Sequence, residues 1–271
     1  MKKIGIIIAV LLTLLVVAGC QNKKDTQNTK KLIVGATPVP HAEILAKAKE
    51  ILKTKGIDLE VKVFTDYVTP NLSLQDKSLD ANYFQHLPYL EDFNKEKGTN
   101  LVSIAAVHYE PMGFYSKKIK SLTELKDGDK VGVPNDATNE ARALLLLQDN
   151  GIITLKDPKN LKSTAKDILT YKVKINIVEI EAAQLARSLD GIAGAVINGN
   201  YAIDAGLNPS KDAIVSEGAS SVAATTYANI LVVRSGEESN ESLKTLAEVL
   251  KSDEIKKFII EKYNGAVLPA E

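Results

Sequence analysis

The sequence has no tryptophan, a single cysteine and only three histidines among its 271 residues. One cysteine excludes an internal disulfide framework and a zinc site built on several thiolates. Lysine and arginine together number 34, as do aspartate and glutamate, so the formal net charge is zero. A nucleic-acid-binding protein needs a basic surface to displace counterions from phosphates, so we expect no nucleic-acid partner.

The common short motifs of enzymes and nucleotide-binding proteins are also missing. The sequence contains no G-x-S-x-G, H-E-x-x-H, G-x-x-x-x-G-K-[ST] or G-x-G-x-x-G pattern. We therefore expect a binding protein without catalytic residues and without a cofactor.

The single cysteine lies directly after an apolar N-terminal run. Lys2 and Lys3 precede the apolar residues 4–17, which are fewer than the ~20 residues of a membrane-spanning helix. Small residues then lead to Cys20, an order that looks like a bacterial lipobox and predicts a signal peptide over 1–19. An ordinary signal peptide or a buried N-terminal helix is the alternative.

The lipobox implies lipid attachment at Cys20, and residues 21–31 contain no apolar side chain. Such a segment cannot bury anything, so residues 20–31 are predicted to be the lipidated cysteine and a flexible tether. We therefore expect an extracytoplasmic protein that is lipid-anchored to the bacterial cell membrane.

From residue 32 onwards, short β-rich runs alternate with helical stretches in two successive series. This pattern predicts an α/β protein with two lobes. The first lobe is predicted to combine 32–112 with 230–271, and the second to comprise 113–229. A small ligand is expected in the cleft between them, at the carboxyl ends of strands.

Arginine is rare among the basic side chains and occurs only at positions 142, 187 and 234. Arg142 lies early in a predicted helix, after a polar turn at 135–139. A guanidinium can grip a carboxylate with two parallel hydrogen bonds, and a helix start offers backbone N–H groups to the same anion. Arg142 is therefore a candidate carboxylate-binding residue, with a structural salt bridge as the alternative.

Two asparagines lie at the ends of predicted strands. Asn198 follows the apolar run 194–197, and Asn229 opens the run 229–233. An amide accepts a hydrogen bond from an ammonium and donates one to a carboxylate, so both residues suit a zwitterion. Capping of a turn is the alternative for each.

Aromatic residues make up only 5% of the sequence, yet several are concentrated at 82–89. Phe84, His86 and Tyr89 lie in this segment, and Tyr67 follows the preceding predicted strand. Aromatic rings make favourable contacts with the polarizable sulfur of a thioether. A core cluster containing a hydrogen-bonded histidine is the alternative.

Six segments, in their order and spacing, resemble the NlpA family of methionine-binding lipoproteins. They are NYFQHLPYLEDF at 82–93, PMGFYSKKIKSLTELKDG at 111–128, VGVPNDATNEARALLLLQDNGII at 131–153, AVINGNYAIDAGLNP at 195–209, YANILVVR at 227–234 and IEKYNGAVLP at 260–269. The resemblance covers nearly all of the chain after the tether. It implies a two-lobed, type II-like periplasmic-binding-protein fold and a role in an ABC importer for methionine.

The resemblance also implies roles for particular residues. Arg142, in the pattern P-N-D-x-x-N-x-x-R-A-L, is implied to hold the α-carboxylate of the ligand, and Asn198 and Asn229 its polar end. An aromatic wall is implied for Tyr67, Phe84, His86 and Tyr89. The implied partners are L-methionine and the permease and ATPase of the importer; we expect a monomer and no metal site.

Other ligands and other functions stay open on the sequence. A methionine-containing dipeptide, D-methionine or another small amino acid would suit the same polar groups, although a dipeptide needs a larger cleft. A surface adhesin would not need the zwitterion-binding residues. An enzyme would need a base in the cleft, for which His86 is the candidate, and a metal receptor would draw on His41, His86 and His108.

Overall fold

The computed structural model describes residues 29–218 and 222–270. The predicted signal peptide, Cys20 and the tether up to residue 28 lie outside this part of the chain. Within it, no helix is both long enough and apolar enough to cross a bilayer. The predicted tether extends too far, because Lys30 and Lys31 pair with Ile57 and Asp58 and so belong to the first strand.

The strands of the described chain form two main sheets and a small hairpin. In chain order they are β1 (Lys30–Ala36), β2 (Ile57–Val63), β3 (Ala81–His86), β4 (Leu101–Tyr109), β5 (Gly113–Tyr115), β6 (Lys130–Pro134), β7 (Ile153–Leu155), β8 (Ile168–Tyr171), β9 (Asn176–Ile180), β10 (Gly194–Ile197), β11 (Val215–Ser216), β12 (Asn229–Arg234) and β13 (Leu268–Pro269).

The helices pack on the faces of these sheets. They are α1 (Glu43–Thr54), α2 (Thr69–Gln75), α3 (Leu87–Lys97), α4 (Ala137–Asp149), α5 (Leu185–Ser188), α6 (Gly199–Asp204), α7 (Val222–Thr226), α8 (Glu241–Leu250) and α9 (Asp253–Tyr263). Local sequence sets several of their ends: Asp136 caps α4 by accepting from the Asn139 N–H, and Gly98, at a φ of 64°, ends α3.

The first sheet has the order β13-β4-β12-β3-β1-β2, and the second the order β11-β5-β10-β6-β9. The chain crosses from the first sheet to the second between β4 and β5, and it returns between β11 and β12. On its return, β12 inserts antiparallel between β3 and β4. The predicted two-lobed α/β architecture is confirmed. The predicted boundary at 229/230 is one residue late, because Asn229 already pairs within the first sheet.

Each sheet has its own apolar core. In the first lobe α1 contributes one apolar face, with Ile44, Leu45, Ala48 and Leu52 fully buried and Ile51 partly buried. In the second lobe Leu144 and Leu147 of α4 pack against the strand residues Val131, Val133 and Val196. Burial of these side chains holds each lobe together independently of the cleft.

Two local features differ from the sequence prediction. Residues 81–86 form β3, whose six residues are all buried, and a strand buried on both faces shows no alternation that a period-2 pattern could reveal. Residues 182–189 have the sequence pattern of a helix, but they form a 3₁₀ turn at Ala182–Gln184 followed by the short α5.

Candidate ligand-binding site

A cavity lies between the two lobes, and the boundary between lobes or domains is a common place for a small-molecule site. The residues predicted from the sequence all line it: Tyr67, Phe84, His86, Tyr89, Arg142, Asn198 and Asn229. The structure therefore brings together seven side chains that span 163 positions of the sequence, from 67 to 229.

The first lobe contributes a row of side chains across three neighbouring strands. Asn229, at the start of β12, pairs with His86 at the end of β3 and with His108 near the end of β4. Because β12 runs antiparallel to both neighbours, its beginning meets their carboxyl ends. Ligands of α/β sheets bind at that edge.

The second lobe contributes residues that follow two parallel strands. Asn139 and Arg142 lie three residues apart on α4, which follows β6, so they share one helix face. Asn198 follows β10, which is paired parallel to β6. Gly199 comes next, and an added Cβ there would lie 2.6 Å from Cβ of Glu110, so a larger residue would displace the segment that carries Glu110.

Aromatic rings form one side of the cavity around Tyr67. The ring centre of Tyr67 lies 5.8 Å from those of Phe84 and Tyr89 and 4.8 Å from that of Tyr201. The Tyr67 hydroxyl donates to Oδ1 of Asn200 across the cleft at 2.5 Å, and the Tyr89 hydroxyl donates to the Tyr67 carbonyl at 3.1 Å. With both hydroxyls engaged, these tyrosines offer a ligand mainly ring carbon surface.

Both ring nitrogens of His86 are already hydrogen-bonded. The Tyr89 N–H donates to Nδ1 at 3.2 Å, so we assign the proton to Nε2, which donates to Oδ1 of Asn139 at 3.1 Å. Burial lowers the pKa of His86 to about 3, with the positive charge of Arg142 acting in the same direction. A neutral histidine of such low basicity is a poor general base, which disfavours the enzyme alternative.

Arg142 is engaged by a carboxylate of the protein itself. Its Nε donates to Oε1 of Glu217 at 2.8 Å and its Nη2 donates to Oε2 at 2.6 Å, while Nη2 also reaches the Glu110 carbonyl at 2.8 Å. Burial opposes the charged guanidinium, but Glu217 raises the pKa of Arg142 above its ordinary value. The guanidinium also lies over the ring of Tyr227, 4.3 Å from its centre. The salt bridge considered as an alternative is therefore present at a residue that lines the cavity.

Asn198 carries an unpaired acceptor. Its Nδ2 donates to Oδ1 of Asn139 at 2.7 Å, whereas its Oδ1 is buried and has no hydrogen-bond partner among the described residues. A buried unpaired acceptor costs about 1–3 kcal/mol. A ligand that donates a hydrogen bond in the cavity would remove that cost.

A second polar network backs the cavity on the side of the first lobe. Nε2 of His108 lies 2.7 Å from Oε1 of Glu110, and Nε2 of His41 lies 3.4 Å from the same oxygen. His41 Nε2 also contacts Oδ1 of Asn229 at 2.9 Å. On the far side of each ring, Nδ1 contacts a hydroxyl, that of Thr37 for His41 and that of Tyr83 for His108.

His41, His108 and Glu110 form the group of described side chains whose ligand atoms, all within 4.8 Å of one another, could hold a metal ion. His86, the third histidine considered for a metal, is not part of it. The 2.7 Å separation between His108 and Glu110 fits a hydrogen bond, and every ring nitrogen has a hydrogen-bonding neighbour. The geometry is that of a hydrogen-bonded network rather than of a preformed metal cage.

Comparison with known proteins places the chain in a family. Residues 32–271 match the family model described as NlpA lipoprotein. The chain belongs to the NlpA lipoprotein family. It is 43% identical over 274 residues to the methionine-binding lipoprotein MetQ of Bacillus subtilis strain 168, covering 99% of both chains. It is likewise 43% identical over 266 residues to the D-methionine-binding lipoprotein MetQ of Salmonella typhi, covering 96% of this chain and 95% of the other.

Solved structures of similar proteins show the same fold as this NlpA-family chain. A nutrient-binding protein from Burkholderia cenocepacia bound to methionine is 40% identical, with a TM-score of 0.84 over 89% of this chain and 100% of the other. A periplasmic substrate-binding protein of an ABC transporter from Coxiella burnetii is 42% identical, with a TM-score of 0.83 over 88% and 100%. The periplasmic-binding-protein fold expected from the sequence is thereby confirmed.

Several residues that line the cavity of this NlpA-family chain were not predicted from the sequence. Gln85, Glu110, Asn139, Gly199 and Asn200 also line the cavity. The sequence position of Glu110 could have indicated a site residue, because it lies close to the predicted lobe boundary at 112/113. No sequence pattern indicated Glu217, since only the fold of the second lobe brings it next to Arg142.

Proposed function

We propose that this chain is the substrate-binding lipoprotein of an ABC importer and that it binds methionine between its two lobes. The observation that carries the proposal is the cavity, in which the guanidinium of Arg142 and the unpaired Oδ1 of Asn198 meet the rings around Tyr67. The names of its relatives support the ligand, and the Coxiella burnetii protein supports the transporter.

The polar groups suit the two ends of an amino acid. Arg142 has its Nε and Nη2 engaged, which leaves Nη1 for the ligand carboxylate, and Asn229 has its Oδ1 on His41, which leaves Nδ2 as a second donor. Oδ1 of Asn198 is available to accept from the ammonium. The thioether would then lie against Phe84 and Tyr89, where aromatic contacts with sulfur contribute about 0.3–1.5 kcal/mol.

A dipeptide needs a larger cleft than a free amino acid, and the polar groups suit either enantiomer. Calorimetric titration of the full-length protein in detergent should compare L-methionine, D-methionine, norleucine and glycyl-methionine. We expect methionine to bind, norleucine to bind only slightly more weakly, and the dipeptide to bind least. Absence of binding by all four would contradict the proposal. Native mass spectrometry of protein purified without refolding would identify any ligand retained from the cell.

We also propose that the protein is a monomer without catalytic activity and that lipid on Cys20 holds it at the outer face of the cell membrane. The position of Cys20 after the apolar N-terminal run supports the anchor. Metabolic labelling with palmitate should mark the wild-type protein and not Cys20→Ser. Labelling of the Cys20→Ser protein would contradict the anchor assignment without bearing on the ligand.

A further inference from the structure

The buried charges of the cleft are unevenly matched. Arg142 and Glu217 form a close ion pair whose side chains are only 4% and 8% exposed. The positive charge of the guanidinium is therefore balanced within the protein before any ligand arrives. A ligand carboxylate that binds Arg142 would therefore interact with a guanidinium whose charge is already neutralised by Glu217.

Among the residues that the structure describes, no lysine or arginine directly contacts the carboxylate of Glu110. It lines the cavity and is 4% exposed, and the groups within reach of its carboxylate are the Nε2 atoms of His41 and His108. The Asn200 backbone also supports it, and Arg142 touches its carbonyl rather than its carboxylate. These contacts provide hydrogen bonds to a carboxylate but little compensating charge.

The two imidazoles are neutral in this environment. Burial lowers the pKa of His41 to about 4 and the pKa of His108 to about 3. Burial raises the pKa of Glu110, as expected for a carboxylate removed from water, whereas the nearby His41 and Arg142 lower it. The hydroxyls of Thr37 and Tyr83 can donate to the two Nδ1 atoms, which places the proton of each ring on Nε2. The Nε2–H of His108 then donates to Glu110 at 2.7 Å, whereas that of His41 donates to Oδ1 of Asn229 at 2.9 Å and lies 3.4 Å from Glu110.

We propose that the cleft recognises its ligand mainly through a free ammonium group, with Glu110 as the specificity-determining residue and His41 and His108 as positioning residues. This proposal rests on the proposed function, that an amino acid binds in the cavity. An ammonium has three donors and no acceptor, so it can use Glu110 and Oδ1 of Asn198 together. It would also supply a positive charge beside the Glu110 carboxylate, since the charge of Arg142 is paired with Glu217.

Two methionine analogues separate the contributions of the two charged ends. The desamino analogue has hydrogen in place of the ammonium, and the decarboxy analogue has hydrogen in place of the carboxylate, so neither adds bulk. Calorimetric titration of the full-length protein should show that the desamino analogue binds roughly 100-fold or more below L-methionine. The decarboxy analogue should lose only about 10-fold, because a charge-assisted hydrogen bond is worth about 1.5–3 kcal/mol and ~1.4 kcal/mol is one decade.

The variant Glu110→Gln tests the residue itself. Gln keeps a carbonyl oxygen for the two histidine donors but removes the charge. L-methionine should bind roughly 10-fold to 100-fold more weakly to this variant, whereas the affinity for the desamino analogue should change by less than about 3-fold. The variant should therefore no longer prefer a ligand that carries an ammonium group. Glu140→Gln is the matched control: Glu140 is also a buried carboxylate, it accepts from the Ala165 N–H, and it does not line the cavity. Its ligand ranking should equal that of the wild type.

The outcomes distinguish this proposal from the one on which it rests. If wild-type protein binds L-methionine but loses more affinity for the decarboxy analogue than for the desamino one, ammonium selection is overturned even if Glu110→Gln does not fold. If Glu110→Gln keeps the wild-type ranking, the role of Glu110 is overturned while methionine binding stands. Failure of the wild type to bind any of the three ligands would instead overturn the proposed function.

Discussion

Glu217 binds one edge of the Arg142 guanidinium through two hydrogen bonds, with Nε–Oε1 and Nη2–Oε2 distances of 2.8 and 2.6 Å. The same carboxylate accepts from the Tyr109 hydroxyl at 2.7 Å and from the Met112 N–H at 2.8 Å. Glu217 thus ties the helix that carries Arg142 to the segment where the chain enters the second lobe. Arg142, which the sequence predicts to bind the carboxylate of a ligand, is thus already bound by a carboxylate of the protein.

Breaking this pair from either side should strongly destabilise the fold. Arg142→Met leaves a buried carboxylate unpaired and Glu217→Gln leaves a buried guanidinium unpaired, so each should lower the free energy of unfolding by about 3–5 kcal/mol. The double variant should lose less than the sum, because no charge is left alone. Urea unfolding of the four proteins measures the coupling.

The exposed pair Lys117–Asp190 is the matched control, with side chains 54% and 76% exposed. Its coupling should stay below about 1 kcal/mol. Additive losses at Arg142 and Glu217 would contradict the account of a mutually dependent pair. Where Arg142→Met folds, it should also bind L-methionine roughly tenfold more weakly, since a charged hydrogen bond is removed.

Replacing Asn198 should separate binding from stability. Asn198→Ala removes the hydrogen bond from Nδ2 to Asn139 but also the buried, unpaired Oδ1. The two effects oppose each other, so the free energy of unfolding should change by less than about 1 kcal/mol. The same variant should bind L-methionine about tenfold or more weakly, as measured by calorimetry. The exposed Asn176, whose side chain donates to the Gly128 carbonyl at 3.0 Å, is the control, and Asn176→Ala should leave affinity unchanged. Unchanged affinity in Asn198→Ala would remove this residue from the site.

The hydrogen bond from Tyr67 to Asn200 joins the two lobes across the cleft. Tyr67→Phe keeps the aromatic ring but removes this bond, so we expect the ligand-free protein to open more readily and the affinity for L-methionine to fall about 2-fold to 10-fold. Small-angle X-ray scattering should show a larger radius of gyration for the free variant, and equal radii with saturating ligand.

Tyr171→Phe provides the control, because Tyr171 is 39% exposed on the hairpin of the second lobe, away from the cavity. It should match the wild type in both measurements. Identical scattering and affinity for Tyr67→Phe and the wild type would show that this contact does not contribute to closure.

Acid should destabilise the fold through its three buried neutral histidines. Burial lowers the pKa of His41 to about 4 and that of His86 and His108 to about 3, against about 6.5 in an unfolded chain. Below that value the unfolded chain binds protons that the folded chain does not, so the free energy of unfolding falls as pH falls. Between about pH 7.5 and 5.5 each histidine should contribute a loss of about 1.4 kcal/mol.

Buried carboxylates act in the opposite direction, because burial raises the pKa of Glu110, Asp136 and Glu140, and the folded chain then binds these protons more readily at mildly acidic pH. They should offset part of the histidine effect. Urea unfolding across this pH range measures the slope, and His86→Asn should reduce it by roughly one histidine's share. A slope that His86→Asn leaves unchanged would contradict the assignment of a neutral buried histidine at this position.

The sequence alone supported most of the architecture and the predicted site residues. Strand β6 and strand β10 have the predicted bounds, because short apolar runs between polar turns leave little choice of position. The seven predicted residues meet in one cavity because motifs at strand ends are brought to one edge of each sheet. Strand β3 and the broken helix at 182–189 were not predictable locally, since tertiary burial set their conformation.

What the sequence determined by itself was the kind of side chain at each strand end: a guanidinium, amides and aromatic rings suited to a small zwitterion with an apolar tail. Only the tertiary structure decided which charges face each other. Arg142 and Glu217 are 75 residues apart, and Glu110 lies beside Gly199 because β5 and β10 pair in the second sheet. Electrostatic interactions depend on distance and burial, which local sequence patterns do not encode, so the charge balance of the cleft emerges only in the folded chain.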